Sequence, residues 1–120
     1  MKYKAKDEPK VEEKGDYAKQ VIFSKDDFAD NRHLLEIVII PKQTARVMHY
    51  YYEQTQVCYV LMGNAIITVN GKIFHAKPGD ACILEPGDKH TIANENDQDF
   101  HLLVFKINIP EKDDTVWKEQ

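Results

Sequence analysis

Turn signals fall so often along this chain that little but short strands fits between them. Gly63-Asn64, Asn70-Gly71, Pro78-Gly79 and Pro86-Gly87 divide the middle of the sequence, and each pair favours a reversal through positive or fixed φ. Between and beside them lie β-branched and aromatic runs: Val57 to Met62, Ala65 to Val69, Lys72 to Ala76, Ala81 to Glu85 and His90 to Ala93. Leu34 to Ile40, ended by Pro41, and Phe100 to Ile107 extend the series, and Val21-Ile22-Phe23 opens it. Asn70-Gly71 is a strong hairpin signal, because both central residues of a type I′ turn need positive φ. Many short strands with turns at regular spacing predict an all-β sandwich or barrel. The one helical turn expected is Lys25 to Phe28, capped by Ser24 with acids near its start.

The two ends read differently. Residues 1–18 mix Lys, Glu and Asp with Pro9 and Gly15. So few large apolar groups cannot offset ordering entropy alone, which predicts a polar arm that is flexible or ordered by a partner subunit. Residues 19–110 make the single domain expected of 120 residues, and residues 111–120 are read as a polar tail with Trp117 as its apolar anchor. The net charge is -4, and the only arginines, Arg32 and Arg46, stand among fourteen lysines scattered between acids. Nucleic-acid binding needs clustered cations, so it is not expected. Ile37 to Ile40 is far too short to cross a bilayer, and no apolar run follows the first residues as a signal peptide requires. A cytoplasmic protein is expected, with Cys58 and Cys82 as reduced thiols and a disulfide as the alternative.

Two spaced motifs run through the strand region: His49-x-Tyr51-x4-Gln56-x6-Gly63, then Gly79-x7-Gly87-x2-His90-x3-Asn94. They resemble the paired motifs of the cupin family. The resemblance covers about Leu34 to Ile107 and implies one cupin-type antiparallel β-barrel (a double-stranded β-helix, or jelly roll) whose motif strands converge on a pocket. Gly79-Asp80 and Pro86-Gly87 match the turns that bound the second-motif strand. In the family the first motif carries two histidines and a glutamate, and the second carries another histidine. Here Tyr51 stands for the second histidine and Gln56 for the glutamate. Glu85 replaces a proline, and Gln43 replaces the glycine six residues before the first histidine. Small cupins commonly dimerise through an amino-terminal strand, so the resemblance also implies a homodimer, with residues 17–24 available for it.

By this resemblance His49, Tyr51, Gln56 and His90 share the pocket. Two imidazoles begin a site for one divalent ion, with Zn or Ni favoured over Fe. Tyr51 ligates only as a phenolate, against an ordinary pKa of about 10, and Gln56 offers only a neutral carbonyl. The alternative is a metal-free pocket in which the same four residues hold a water or an organic ligand. Glu53 restores a carboxylate if its loop folds inward, and is otherwise a solvated acid. Strand parity puts Cys58 on the face of Gln56, as a ligand, a nucleophile or a small core residue. Arg46 is placed to fork onto a carboxylate or phosphate, or else lies on the surface. Tyr50 and Tyr52 take the opposite face from Tyr51 and suit an interface. His33, His75 and His101 lack any paired spacing.

The function expected is binding of a small polar ligand, a sugar or a carboxylate, with metal optional. His90, His49 and Tyr51 are the acid–base groups if the protein is a sugar isomerase or epimerase. A metal-dependent oxygenase or hydrolase is the second expectation, against which the neutral Gln56 argues. A non-catalytic ligand-binding or assembly subunit is the third.

Overall fold

Alternation of buried and open side chains explains the three longest strands. In β3 (Leu34–Ile40) the buried residues are Glu36, Val38 and Ile40; in β6 (Thr55–Met62) they are Gln56, Cys58 and Val60; in β11 (Phe100–Ile107) they are Phe100, Leu102 and Val104. A period of two is what one covered sheet face requires. The computed structural model describes residues 1–45, 48–51, 53–112 and 115–118, with the backbone alone for 48, 49, 117 and 118.

Within these residues there are nine further strands: β1 (Val11–Glu13), β2 (Ala18–Phe23), β4 (Thr44–Ala45), β5 (Met48–Tyr51), β7 (Ala65–Val69), β8 (Lys72–Ala76), β9 (Ala81–Leu84), β10 (His90–Asn94) and β12 (Thr115–Lys118). One sheet runs β1-β2-β3-β11-β6-β9; the other runs β12-β5-β10-β7-β8, with β4 also on β10. All pairings are antiparallel. This is the expected jelly-roll arrangement. The two sheets face each other across the core, and no described strand joins both of them into a closed barrel.

The core is mainly aliphatic around one phenylalanine, with Phe100, Ile40, Leu102 and Val104 among its most buried side chains. The helical turn expected after Ser24 is a 3-10 turn at Lys25–Asp27, where the Asp27 carboxylate accepts the Ser24 backbone N–H at 2.9 Å. Asn70 and Gly71 take φ of 51 and 82, as a type I′ turn demands. Two strands lie where polar ends were expected. β1 pairs with β2 through Val11↔Gln20, and β12 lies along β5. β1 lacks the apolar alternation by which a strand is read from sequence: all three of its side chains are exposed, and it is held by its neighbour's ladder.

Candidate ligand cavity

The second-motif turn fixes the position of His90. Gly87 donates its N–H to the Tyr51 carbonyl at 2.7 Å, and Asn70 donates its N–H to the Lys89 carbonyl at 2.8 Å. The Asn70 side chain also donates to Asp88 Oδ1 at 2.9 Å and accepts the Lys89 N–H at 3.0 Å. Two segments distant in sequence therefore clamp the turn that leads into β10. In the ladder the His90 backbone stands opposite His49 on one side and Val69 on the other.

His90 is 2% exposed. Its Nδ1 lies 3.1 Å from the Asp88 carbonyl oxygen. A carbonyl only accepts, so Nδ1 carries the proton in the neutral ring and Nε2 is the basic nitrogen. The Tyr51 and His90 rings lie side by side, with centroids 6.2 Å apart. Both border a cavity of about 370 Å³, together with Gln54, Gln56, Glu36 and Lys106. The Gln56 amide nitrogen donates to Cys58 Sγ at 3.4 Å, which leaves its carbonyl oxygen as the acceptor.

Glu36 and Lys106 were not singled out from sequence. Both continue the inward parity of their strands, Glu36 with Val38 and Lys106 with Val104. An ionisable residue in phase with an apolar stripe was the signal that could have found them. Lys106 Nζ sits 3.4 Å from Glu36 Oε2 and 5.8 Å from the Tyr51 ring centroid. Burial pushes the Lys106 ammonium down, but Tyr51, Glu36 and Tyr17 outweigh that effect and hold its pKa above the ordinary 10.5. The cavity therefore keeps a lysine that stays charged.

Of the expected site residues, Tyr51, Gln56 and His90 come together here. Only the backbone of His49 is described, in register with His90, and Arg46 lies outside the described residues. Cys58 lines a second cavity, and Glu53 is exposed and borders neither cavity. Asn94, which ends the second motif, is structural: its amide donates to the Ile40 and Gln98 carbonyls at 3.1 and 2.8 Å.

His90, Gln56 and Tyr51 offer an imidazole, a carboxamide and a phenol, while the Glu36 carboxylate is engaged by Lys106. Among the described residues no three of His, Cys, Asp and Glu stand together. These three donors are neutral and make a weak set for a divalent ion, which takes three or four ligands that usually include charge.

Fold and site together define a jelly roll of two sheets with a polar cavity lined from both of them. The chain belongs to the cupin family: the family model described as the cupin domain matches residues 36–106. It is similar to the oxalate-binding protein of Thermotoga maritima, 26% identical over 94 residues, or 78% of each chain. The crystal structure of a predicted oxalate decarboxylase from Thermotoga maritima superposes with a TM-score of 0.73 at 24% identity, covering 84% of this chain and 92% of that one. An uncharacterised double-stranded β-helix protein of Klebsiella pneumoniae superposes with a TM-score of 0.78 at 18% identity, covering 100% and 99%. Among the described residues no helix is long and apolar enough to cross a membrane.

Proposed function

We propose that the cavity binds a small carboxylate and does not need a resident metal to do so. The observation that carries this reading is the charged Lys106 in the same wall as His90, Tyr51 and Gln56. In a chain of net charge -4, the lining holds three lysines (Lys19, Lys25 and Lys106) against two glutamates (Glu36 and Glu111). The Gln54 and Gln56 amides and the Tyr51 hydroxyl supply neutral hydrogen bonds beside that charge. A relative that shares about a quarter of its residues is named for oxalate binding, which supports a carboxylate over a neutral sugar. Lys106 orients the ligand charge; His90 Nε2 and the Tyr51 hydroxyl are the groups able to exchange a proton with it. This pair is what favours isomerase or epimerase chemistry over plain binding.

Calorimetric titration of metal-stripped protein with oxalate, small hydroxy acids and a neutral hexose tests the reading. Carboxylates are expected to bind and the hexose is not. Lys106→Met is expected to weaken carboxylate binding by about tenfold or more, the usual scale for losing one charged hydrogen bond. Binding that returns only when Zn or Ni is added overturns the metal-free site and favours the metal-dependent alternative. Hexose binding with no response to carboxylates overturns the ligand class.

For the rest of the molecule we infer a cytoplasmic homodimer built through the amino-terminal strands. Two free cysteines suit a reducing compartment. The segment expected to pair, residues 17–24, forms β2 and is flanked by β1 and β3 of the same chain. The edge left open is therefore β1, with no described strand beyond it, and such an edge is a template for a second chain.

A further inference from the structure

Cys58 in β6 and Cys82 in β9 are direct cross-strand partners, and both are free thiols. Both line a second cavity of about 600 Å³, whose walls include Val60, Ile67, Phe74 and Leu84. Directly opposed residues of an antiparallel pair hold their Cα atoms about 4.5–5.5 Å apart. A disulfide spans roughly 4.4–6.8 Å between Cα atoms. The Cα spacing of directly opposed residues thus falls within the range that a disulfide spans.

We propose that Cys58 and Cys82 form a reversible dithiol–disulfide site whose oxidant is a low-molecular-weight organic disulfide. The cavity has the size of a small-molecule site, and the two sulfurs are unequal within it. Cys58 is 2% exposed and belongs to the core, whereas Cys82 is half-buried on the edge strand. Cys82 is thus the attacking thiol and Cys58 the resolving one. The hydrogen bond from Cys58 also holds the Cys82 thiol below its ordinary value, against an opposing push from burial.

The steps balance as a thiol–disulfide exchange. The Cys82 thiolate attacks one sulfur of the small disulfide, whose S–S bond breaks, and one thiolate leaves. Cys58 gives up its proton and attacks the Cys82 sulfur of the mixed disulfide. The Cys58–Cys82 bond forms as the second small thiolate departs. The two protein protons end on the two released thiols, so one small disulfide is reduced as one dithiol is oxidised. The change reaches the ligand cavity through Gln56, whose amide donates to Cys58 Sγ and whose side chain borders that cavity.

Incubating the full chain with oxidised glutathione, followed by thiol titration and intact-mass measurement, tests the proposal. Wild type is expected to lose both thiols and two hydrogen atoms of mass with no adduct, and to regain them in dithiothreitol. Cys58→Ser is expected to stop at a stable glutathione adduct on Cys82, with Cys58→Ala replacing it if serine is not tolerated in the core. Cys82→Ser is expected to react at least about tenfold more slowly, as its remaining thiol is buried. Persistence of both thiols, a stable adduct on wild type, or a covalent dimer overturns the proposal.

Discussion

Burying a charged pair costs each ion its hydration, and Glu36 and Lys106 recover that cost from one another at 3.4 Å. Glu36 is the more deeply buried of the two, with its side chain 4% exposed against 24% for Lys106. Because Lys106 has a raised pKa in the folded chain, its contribution to stability is fully present below the unfolded value of 10.5. It is lost as pH rises through the folded value. Lys106→Met is expected to destabilise the chain by about 2 kcal/mol at neutral pH, below the roughly 3–5 kcal/mol for breaking a fully buried pair because Lys106 keeps contact with water. The gap between variant and wild type should hold up to about pH 10.5 and narrow above it, as Lys106 loses its proton in the folded chain. Thermal melts of both proteins across that range check it, and a gap that widens refutes the linkage. The motif spacing gave Tyr51, Gln56 and His90. It could not give Glu36 and Lys106, which belong to no motif and meet only through the β3–β11 register.

At the scale of the element, two reversals show how far local chemistry carries. Gly63 has φ +81, and a Cβ there meets the Asp99 carbonyl oxygen at 2.5 Å and Phe100 Cα at 3.2 Å. Backbone is on the other side of that clash, so no side chain can swing away. Gly63→Ala is expected to cost roughly 2–4 kcal/mol, combining left-handed strain with overpacking. Gly79→Ala shares the positive φ, at +92, but meets nothing within 4 Å, so about 1 kcal/mol of backbone strain is expected there. Urea melts of the two variants should rank them in that order, and equal losses would show that the Asp99 contact yields. Gln43 explains a departure from the family pattern. It takes φ 58, the conformation for which glycine is suited, and its amide donates to the Glu95 and Asn96 carbonyls at 2.9 and 3.1 Å. Those bonds reach more than fifty residues along the chain, so the sequence alone showed the substitution without what makes it tolerable.

At the scale of the whole molecule, two surfaces compete to hold a second copy. One is the open edge at β1, with Val11 51% exposed. The other is the outer face of β6 and β9, where Tyr59, Leu61 and Ile83 are exposed at 46%, 42% and 59%. Edge pairing draws on unsatisfied backbone groups and continues a sheet, whereas the apolar face draws only on area. The amino-terminal reading follows the first of these. Light scattering of the full chain is expected to give a dimer mass, and a chain lacking residues 1–16 is expected to give a monomer at the same micromolar concentration. Ile83→Lys places a charge on the rival face and should leave the dimer intact, since that strand lies at the opposite end of the sheet from β1. The reverse outcome, a dimer that survives the truncation and dissociates in Ile83→Lys, moves the interface to the apolar face. β1 then remains a short, charged edge of the kind that keeps strands from pairing.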